Sequence, residues 1–504
     1  MAKQKTVVVF VHGWSVTNTN TYGGLPARLR NEAKAQGLDL TIKEIFLGRY
    51  ISFHDEVRVK DISRAFSVAI ADELTDGTRF VCITHSTGGP VIREWWRRYY
   101  DGVKGSGTCP MSHLIMLAPA NFGSALAQLG KGRVGRLKSW MGGVEPGQGV
   151  LDWLELGSSE GWDLNQAWIS SDGSQIGAAG IFPFVLIGQG IDRKFYDNLN
   201  TYTGESGSDG VVRVAAASLN ANMIRLNQEI PKKKSGTRDG YEARQLDVGE
   251  FIKAPETATR VVRRSSHSGK EMGIMGSVST RVGNRSGLDT VTAIIDCLKV
   301  RTKAQYNSVV KKHAQETQTV QDEERLEVED HLLLPDSHFV HDRYSMVVFR
   351  ISDSQGHAVK DFDLLLTAGQ NNDPNRLPRG FFVDKQRNRL NSETITYFVN
   401  YDVMNGAPEV KAGDKVIRPA GQSAESLGFQ VIPRPADGFV HYLPCEIRAS
   451  TKLLDSALQP NNTTLIDICL QRVVRKNVFR LSRMKGDSTA GDFKKTQPGD
   501  EITG

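Results

Sequence analysis

Long hydrophobic runs are absent from this chain of 504 residues. No apolar stretch approaches the roughly twenty residues that cross a bilayer as a helix. The residues before the first apolar strand, Met1 to Lys5, also lack the apolar core of a secretory signal peptide. We therefore expect synthesis as a soluble cytoplasmic protein, and export by a route that uses no cleaved signal is left open.

Cysteine and metal-binding patterns are also scarce. The five cysteines are scattered along the chain, and no His-x-x-x-His or Cys-x-x-Cys spacing occurs. This pattern favours reduced cysteines in the cytoplasm. We expect no metal and no cofactor.

Charge of one sign is not in large excess. The 63 basic and 57 acidic residues are interspersed, and they leave a formal net charge of only +6. A hydrophobic share of 39% and a charged share of 24% are typical of a soluble globular protein. We therefore expect no nucleic-acid partner. A chain of this length can hold roughly two to three domains with well-formed cores.

The most informative segment, residues 80–89, places one serine at the corner between an apolar strand and a helix. The strand leads into a Thr-His-Ser-Thr-Gly-Gly sequence, and the helix begins near Pro90, where proline is tolerated. Such a tight bend strains the serine backbone, so small residues are needed two positions before and after it. Gly88 meets that need, and Thr84 does not fully. Ser86 is thus a candidate nucleophile, with a buried serine turn as the structural alternative.

A second segment supports this interpretation. Residues 6–11 form a mostly β-branched run followed by His12, Gly13 and Trp14, which is typical of a central parallel strand ending in a loop of backbone donors. In acyl-transfer enzymes such a loop gives one N–H to the oxyanion, and the residue after the nucleophile gives the other. The amides of Trp14 and Thr87 are therefore the expected oxyanion hole. An ordinary strand with a glycine turn is the alternative.

These motifs resemble those of the α/β-hydrolase lipases, in particular the bacterial lipase and PGAP1-like phospholipase group. The resemblance covers about residues 5–300 and rests on VVVFVHGW at 7–14, ITHSTGGPV at 83–91, LIMLAPANFGS at 114–124, LDWLELGSS at 151–159 and GSDGVV at 207–212. It implies a serine esterase with a doubly wound, mostly parallel sheet and a triad in the chain order Ser, Asp, His. More distantly, the chain is similar to the lipase effectors that bacteria deliver by type VI secretion, an analogy of layout only.

The resemblance also implies that the triad acid lies in a loop after a late strand. Residues 181–188 are a buried-strand run, and two aspartates follow it. Asp209 lies in the segment that matches the acid-bearing sequence of lipases, whereas Asp192 belongs to a charged stretch typical of solvated loops. We expect Asp209 to be the acid, with Asp192 as the other candidate. A plain Asp-Gly turn is the structural alternative for Asp209.

The general base must be chosen among eleven histidines. His267 is the first histidine after Asp209, in a small polar loop before an apolar helix at 288–300, and the resemblance places the base in such a loop. His267 would take the proton of Ser86, while Asp209 orients the imidazole and stabilises its cationic form. A surface histidine beside a basic cluster is the alternative.

The stretch between residues 122 and 181 is much longer than an ordinary connection between sheet strands. It contains four of the seven tryptophans, including Trp140 and Trp153, with Met141 and Leu154 beside them. Long apolar insertions of this kind are usually lids, and nearby basic residues suit an anionic lipid surface. We expect a lid that binds substrate, with the tryptophans as ordinary core as the alternative.

The character of the chain changes after Val300. Residues 301–330 are rich in Lys, Gln and Glu and predict an exposed helix or extended linker. Residues 331–482 alternate short β-rich runs with turns, which is typical of an antiparallel sandwich, and residues 483–504 are polar enough to predict disorder. The predicted fold is thus an α/β-hydrolase domain over residues 1–300 with an inserted lid, followed by a β-rich accessory domain.

Two classes of function fit these observations. The first is a serine phospholipase that hydrolyses carboxylic esters of membrane lipids, with a soluble carboxylesterase or thioesterase as the nearest alternative. The second is a non-catalytic hydrolase fold that binds a partner, for which Thr84 is the feature in favour. The analogy with effectors also implies a secretion-apparatus or immunity-protein partner, and the sequence leaves the oligomeric state open.

Overall fold

The computed structural model describes residues 5–12, 21–52, 54–74, 77, 79–102, 105, 107–129, 147–191, 206–230, 244–281, 283–329, 337–424 and 426–474. The strands within these ranges are β1 (Lys5–His12), β2 (Asp39–Phe46), β3 (Phe80–His85), β4 (Met111–Leu117), β5 (Phe182–Ile187), β6 (Asn222–Gln228), β7 (Arg244–Lys253), β8 (Ala258–Val261), β9 (Leu326–Glu329), β10 (Ser337–Val340), β11 (Tyr344–Asp353), β12 (Phe362–Ala368), β13 (Phe382–Arg387), β14 (Thr394–Asn400), β15 (Val410–Ala412), β16 (Lys415–Arg418), β17 (Leu427–Pro433), β18 (Val440–His441), β19 (Cys445–Arg448), β20 (Thr463–Leu470) and β21 (Val473–Val474).

The α-helices within the same ranges are α1 (Leu25–Ala35), α2 (Val59–Glu73), α3 (Gly88–Tyr100), α4 (Gln148–Leu154), α5 (Ser159–Ile169), α6 (Val214–Ala217), α7 (Leu288–Leu298), α8 (Lys303–Glu323), α9 (Tyr401–Met404) and α10 (Thr451–Ala457). Short 3-10 helices span Leu47–Arg49, Ala125–Leu129 and Pro374–Arg376. Among the described helices, none is both long and apolar enough to cross a membrane. The predicted disordered tail, residues 483–504, lies outside the described residues.

The first sheet contains six parallel strands in the order β2-β1-β3-β4-β5-β8. Its central strands are buried on both faces, so residues 8–11 and 80–83 are apolar and at most 1% exposed. The strand order changes direction between β1 and β3, and the carboxyl ends of all six strands meet at one edge. The predicted doubly wound, parallel α/β-hydrolase sheet is confirmed.

Helices pack against this sheet through apolar stripes. On α7 the buried residues Val291, Ile294, Ile295 and Leu298 recur at helical spacing, and α7 packs on α1. On the other helix pair, α2 and α3, the rings of two aromatic side chains, one from each helix, meet edge to face at 5.0 Å. The sheet and these helices share one buried core, which holds the loops after the strands in place.

Helix α8 occupies most of the segment that the sequence predicts to be an exposed helix or linker. It packs along the edge strand β8, and Tyr306 and His313 on it are fully buried. The Tyr306 hydroxyl donates to the carbonyl oxygen of Pro183 at 2.7 Å. The segment is therefore helical but only partly exposed. Its polar composition hides the packed face, because few positions on the helix point inward.

The second sheet contains nine strands in the order β12-β17-β19-β7-β6-β20-β11-β14-β13. Most neighbours are antiparallel, whereas β20 runs parallel to both β6 and β11, and β19 runs parallel to β7. Apolar residues from these strands, including Phe349, Phe362 and Ile468, form a second core. The predicted β-rich region is present, but its long strands form one mixed sheet rather than an antiparallel sandwich.

Two strands of the second sheet come from inside the predicted hydrolase domain. β6 and β7 form an antiparallel hairpin between β5 and β8, and β6 pairs with β20, for example Met223 with Leu465. The chain thus leaves the parallel sheet after β5, adds two strands to the second sheet and returns as β8. The domain boundary at residue 300 stays a prediction, but the second sheet crosses it.

Candidate active site

Ser86 lies between the end of β3 and the start of α3, as the sequence predicts. Its φ angle is +53°, in the left-handed region that non-glycine residues rarely adopt. The Ser86 amide donates to the carbonyl oxygen of Leu117 at 3.0 Å, and the Gly89 amide donates to the carbonyl oxygen of Ser86 at 3.1 Å. The surrounding backbone therefore holds the strained conformation that presents a nucleophile at the edge of the sheet.

Thr84 stands where nucleophile elbows commonly have a glycine. Its side chain is fully buried, and a Cβ atom added to Gly88 would lie 3.1 Å from the Thr84 Cβ. Gly89 is constrained as well, because an added Cβ would lie 2.7 Å from the Cβ of Pro119. Gly88 thus provides the room in which threonine can replace the first glycine, and Gly89 provides the room for Pro119.

Asp209 is fully buried in a tight turn between β5 and α6, residues 207–213, which we call the acid turn. Its Oδ1 accepts hydrogen bonds from the amide of Val211 at 3.0 Å and from the amide of Val212 at 2.7 Å. Gly207 opens the turn with a φ angle of +77°, a conformation that favours glycine. The acid turn therefore fixes the carboxylate and leaves its second oxygen for a partner.

His267 lies in the loop after β8 and supplies that partner. Its Nδ1 is 2.9 Å from Asp209 Oδ2, and its Nε2 is 3.1 Å from Ser86 Oγ. A carboxylate only accepts hydrogen bonds, so Nδ1 carries the proton and Nε2 presents its lone pair to the Ser86 hydroxyl. The loop packs closely on the end of β5, where a Cβ atom at Gly188 would overlap the carbonyl oxygen of Ser265. The structure thus brings the three predicted residues together from three separate loops.

His85, the last residue of β3, also contacts this group, although its place in the sequence motif predicts no role for it. Its Nε2 donates to the carbonyl oxygen of His267 at 3.1 Å, and the two ring centroids are 4.6 Å apart. Burial, followed by the proximity of His267, lowers the pKa of His85 well below its usual 6.5, so its ring is neutral. His85 therefore supports the His267 loop without adding positive charge. Its position directly before Ser86 is the signal that could have indicated this.

The predicted oxyanion hole is described only in part, because Trp14 lies outside the described residues. Thr87 is buried at the start of α3, and its amide forms no hydrogen bond to another described residue. First-turn amides of a helix have no partner within the helix, so the Thr87 amide is a suitable donor to an oxyanion. Within the part of the chain that the structure describes, no group of three or more His, Cys, Asp or Glu side chains could hold a metal ion.

The helices that the structure describes within the predicted lid, residues 122–181, bury their apolar side chains. Trp153 and Leu154 lie on α4 with 4% and 0% exposure, and Trp162 and Trp168 on α5 are buried too. These side chains extend the core of the first sheet. The structure therefore places Trp153 and Leu154 in the core, the alternative that the sequence leaves open, and a lid that binds substrate stays a prediction.

The reason lies in how α4 meets the chain that follows β4. The Ser124 amide donates to the carbonyl oxygen of Leu154 at 2.8 Å, and a Cβ atom at Gly123 would overlap that same oxygen. Aromatic composition does not distinguish such a packed helix from a lid. The other two predicted lid residues, Trp140 and Met141, lie outside the described residues.

The parallel sheet, the strained serine corner and the converging side chains define an α/β hydrolase. A structure of the phospholipase PlaB from Legionella pneumophila matches 96% of this chain and 97% of its own, with 43% identity and a TM-score of 0.81. A structure of PlaB in complex with thio-NAD matches with the same values. The mature lipase BlEst2 from Bacillus licheniformis covers 42% of this chain and 79% of its own, with 16% identity and a TM-score of 0.30. These values are too low to support a conclusion about this chain.

Scans of the sequence against models of protein families and against curated proteins find no match. The identity of 43% over nearly all of both chains nevertheless shows that this protein belongs to the α/β-hydrolase lipase family that includes PlaB. It is therefore an ester-hydrolysing enzyme. The resemblance that the sequence motifs carry is confirmed, and the alternative of a non-catalytic hydrolase fold is set aside.

Proposed function

We propose that this enzyme is a serine phospholipase that hydrolyses carboxylic ester bonds of membrane lipids. The observation that carries the proposal is the hydrogen-bonded series from Ser86 Oγ to His267 Nε2, at 3.1 Å, and from His267 Nδ1 to Asp209 Oδ2, at 2.9 Å. This geometry has the features of an activated nucleophile, with a base beside it and a third group that orients the base. The similarity to PlaB, which is itself a phospholipase, supports the substrate class.

Acylation begins when Ser86 Oγ attacks the ester carbonyl carbon while His267 Nε2 takes the hydroxyl proton. The Asp209 carboxylate holds the imidazole through Nδ1 and stabilises the positive charge that forms on the ring. The amide of Thr87, with the amide of Trp14 as the second donor, stabilises the negative charge on the tetrahedral oxygen. The bond to the leaving alcohol then breaks, and His267 gives its proton to that oxygen.

Deacylation repeats the same steps with water. His267 Nε2 takes a proton from a water molecule, which attacks the carbonyl carbon of the acyl-Ser86 ester. When this second tetrahedral intermediate collapses, the fatty acid leaves and Ser86 Oγ regains its proton from His267. Both half-reactions return the imidazole to its neutral form. The net reaction consumes the ester and one water molecule.

A soluble carboxylesterase is the alternative within the enzyme class. It is favoured by the burial of Trp153 and Leu154, which do not face a lipid surface. The export route and a secretion-apparatus or immunity-protein partner stay predictions from the sequence.

Phosphatidylcholine and phosphatidylglycerol vesicles incubated with wild-type and Ser86→Ala enzyme test the proposal. We expect fatty acid and lysophospholipid from the wild type and a loss of roughly three or more orders of magnitude in the variant. Ser308→Ala is the matched control, because Ser308 is an exposed serine on α8. Turnover of a soluble nitrophenyl ester without release from vesicles would favour the carboxylesterase. Unchanged activity of Ser86→Ala would reject the mechanism.

A further inference from the structure

The acid turn is closed by its own backbone. Ser208 and Arg213 form an isolated β-bridge across it, and the Asp209 amide donates to the carbonyl oxygen of Val212 at 3.1 Å. Asp209 and Arg213 therefore belong to one small rigid unit. Contacts that hold the Arg213 side chain therefore also restrain the carboxylate that contacts His267.

Arg213 projects from the acid turn into the second sheet. Its side chain is only 2% exposed, its guanidinium donates to the Asp384 carboxylate, and its Cζ lies 4.2 Å from the ring centroid of Phe398. Asp384 on β13 and Phe398 on β14 are cross-strand partners. The guanidinium is thus held between a carboxylate and an aromatic face, two interactions that suit its planar charge.

Asp384 is also held by features of its own strand. The register between β13 and β14 shifts between Phe382 and Asp384, which marks a bulge in the edge strand. Bulges redirect neighbouring side chains and are common beside active sites. The Gln386 side-chain amide also donates to Asp384 Oδ2 at 3.0 Å, which orients the carboxylate from within its own strand.

Tyr344, at the start of β11, contacts the other end of the acid turn. Its ring stacks on Phe398, with centroids 4.9 Å apart and an interplanar angle of 18°. The ring also lies against Gly207 so closely that a Cβ atom there would overlap it. Both ends of the acid turn, Gly207 and Arg213, therefore contact the second sheet, while Asp209 at its middle contacts His267.

We propose that Asp384, Phe398 and Tyr344, which we call the β-clamp, are positioning residues for ester hydrolysis. The β-clamp holds the acid turn, and the acid turn holds the Asp209 carboxylate against His267. This inference rests on the proposed triad and gives the second sheet a part in the reaction. Without the β-clamp the imidazole is held less well in the transition state, whereas substrate binding is unaffected, so kcat falls while KM stays nearly constant.

Asp384→Asn is the first test, since it keeps the side-chain shape and removes the charge. With a soluble nitrophenyl ester we expect kcat to fall roughly 10- to 100-fold, the cost of a catalytic group displaced by up to about 1 Å. KM should change little. Asp384→Glu, which restores the charge on a longer side chain, should recover part of the loss.

A second ion pair provides a matched control. Arg350 on β11 is held by Asp467, with Nε–Oδ1 and Nη2–Oδ2 distances of 3.1 and 2.9 Å, and its Cζ lies 4.2 Å from the ring centroid of Trp162. This arginine also joins a carboxylate of the second sheet to an aromatic ring, but the ring belongs to α5 and not to the acid turn. Asp467→Asn should therefore leave kcat close to that of the wild type.

A double-mutant cycle distinguishes positioning from general support. If the β-clamp acts through Asp209, then Asp384→Asn has little further effect on an Asp209→Ala enzyme. Losses that multiply in the double mutant would overturn the proposal. So would equal losses in Asp384→Asn and Asp467→Asn, because these would indicate a general effect of sheet docking.

Circular dichroism and thermal unfolding show whether each variant folds. If Asp384→Asn does not fold, then Phe398→Leu, which removes the ring face and keeps an apolar side chain, is judged by the same criteria. Failure of both to fold would overturn the proposal, since the β-clamp would then support the whole chain. Unchanged kcat in a folded Asp384→Asn enzyme, with Ser86→Ala inactive, would overturn the β-clamp alone. An active Ser86→Ala enzyme would reject the proposed function itself.

Discussion

The two sheets of this enzyme place their side chains in different ways. The parallel sheet ends its strands at one edge, and the loops after β3 and β8 carry Ser86 and His267. The second sheet joins strands from distant parts of the chain, and its side chains contact the acid turn. Asp209 lies between these arrangements, because its turn follows β5 while both ends of the turn contact the second sheet.

This difference shows that a reacting group and its support can come from separate layers of a protein. A strand end is held by hydrogen bonds to neighbouring strands, so a residue directly after it is positioned by the sheet. The acid turn begins well after β5 ends at Ile187. It is held by hydrogen bonds to neighbouring loops, such as that from Ser124 Oγ to the carbonyl oxygen of Val211 at 2.7 Å, and by its contacts with the second sheet. Three kinds of experiment test this difference: substitution of the reacting groups, substitution where the two layers meet, and acidification.

The largest effect is expected at the reacting groups. Asp209→Ala and His267→Ala should each cost nearly as much kcat/KM as Ser86→Ala, and the double variant should lose little more, because the three residues act as a unit. Hydrolysis of a soluble ester measures this. Asp192→Ala should be nearly silent. If Asp192→Ala inactivates the enzyme and Asp209→Ala does not, the assignment of the acid is wrong.

A smaller effect is expected where the layers meet. Gly207→Ala should lower the free energy of unfolding by about 2 to 4 kcal/mol, since it adds left-handed strain and overlap with the Tyr344 ring. Gly356→Ala is the control, because Gly356 has a φ angle of +83° and nothing within 4 Å of an added Cβ. It should cost only the strain, about 1 to 2 kcal/mol. Urea unfolding compares the two, and equal losses would mean that the Tyr344 contact relaxes without cost.

The smallest and most gradual effect is expected on acidification. Burial lowers the pKa of His113 on β4 to about 4, while its Nε2 contacts the carbonyl oxygen of Val300 at 2.9 Å. The unfolded chain therefore binds this proton more readily, so stability is full above the usual pKa of 6.5 and declines as pH falls toward about 4. The loss is about 2 kcal/mol by pH 5.

Tryptophan fluorescence can follow this loss in the hydrolase half, because all seven tryptophans precede residue 170. Denaturant unfolding at about pH 7.5 and about pH 5, on either side of the usual histidine pKa, gives the slope of the free energy of unfolding against pH. His113→Asn should flatten the slope, and His54→Asn, at an exposed position, should not. An unchanged slope in His113→Asn would show that another group titrates.

The residues that local sequence could predict are those whose role depends on a short motif. Ser86 follows from a strand, a bend and a helix within one segment, and Asp209 and His267 follow from chain order once the family resemblance is recognised. The β-clamp could not be predicted in this way. Whether Asp384 faces Arg213 depends on which strands pair and on a bulge, and periodicity along one strand contains neither.

Amino-acid composition also did not predict which side chains are buried. Trp153 and Leu154 belong to an apolar segment that suits a lid and a core equally, and the close approach of Gly123 to α4 decides for the core. Helix α8 shows the opposite case. Its polar sequence favours exposure, yet the buried Tyr306 anchors it to β5 of the parallel sheet.

The hairpin of β6 and β7 has a consequence for how the enzyme is made. During synthesis β6 emerges long before its partner β20, and until then its outer edge has unpaired N–H and C=O groups that other chains could join. A nascent chain that has completed the nucleophile corner and the His267 loop still lacks the strands that finish its second sheet. The second sheet is therefore completed only after β20 has been synthesised, although two of its strands lie between β5 and β8 of the parallel sheet.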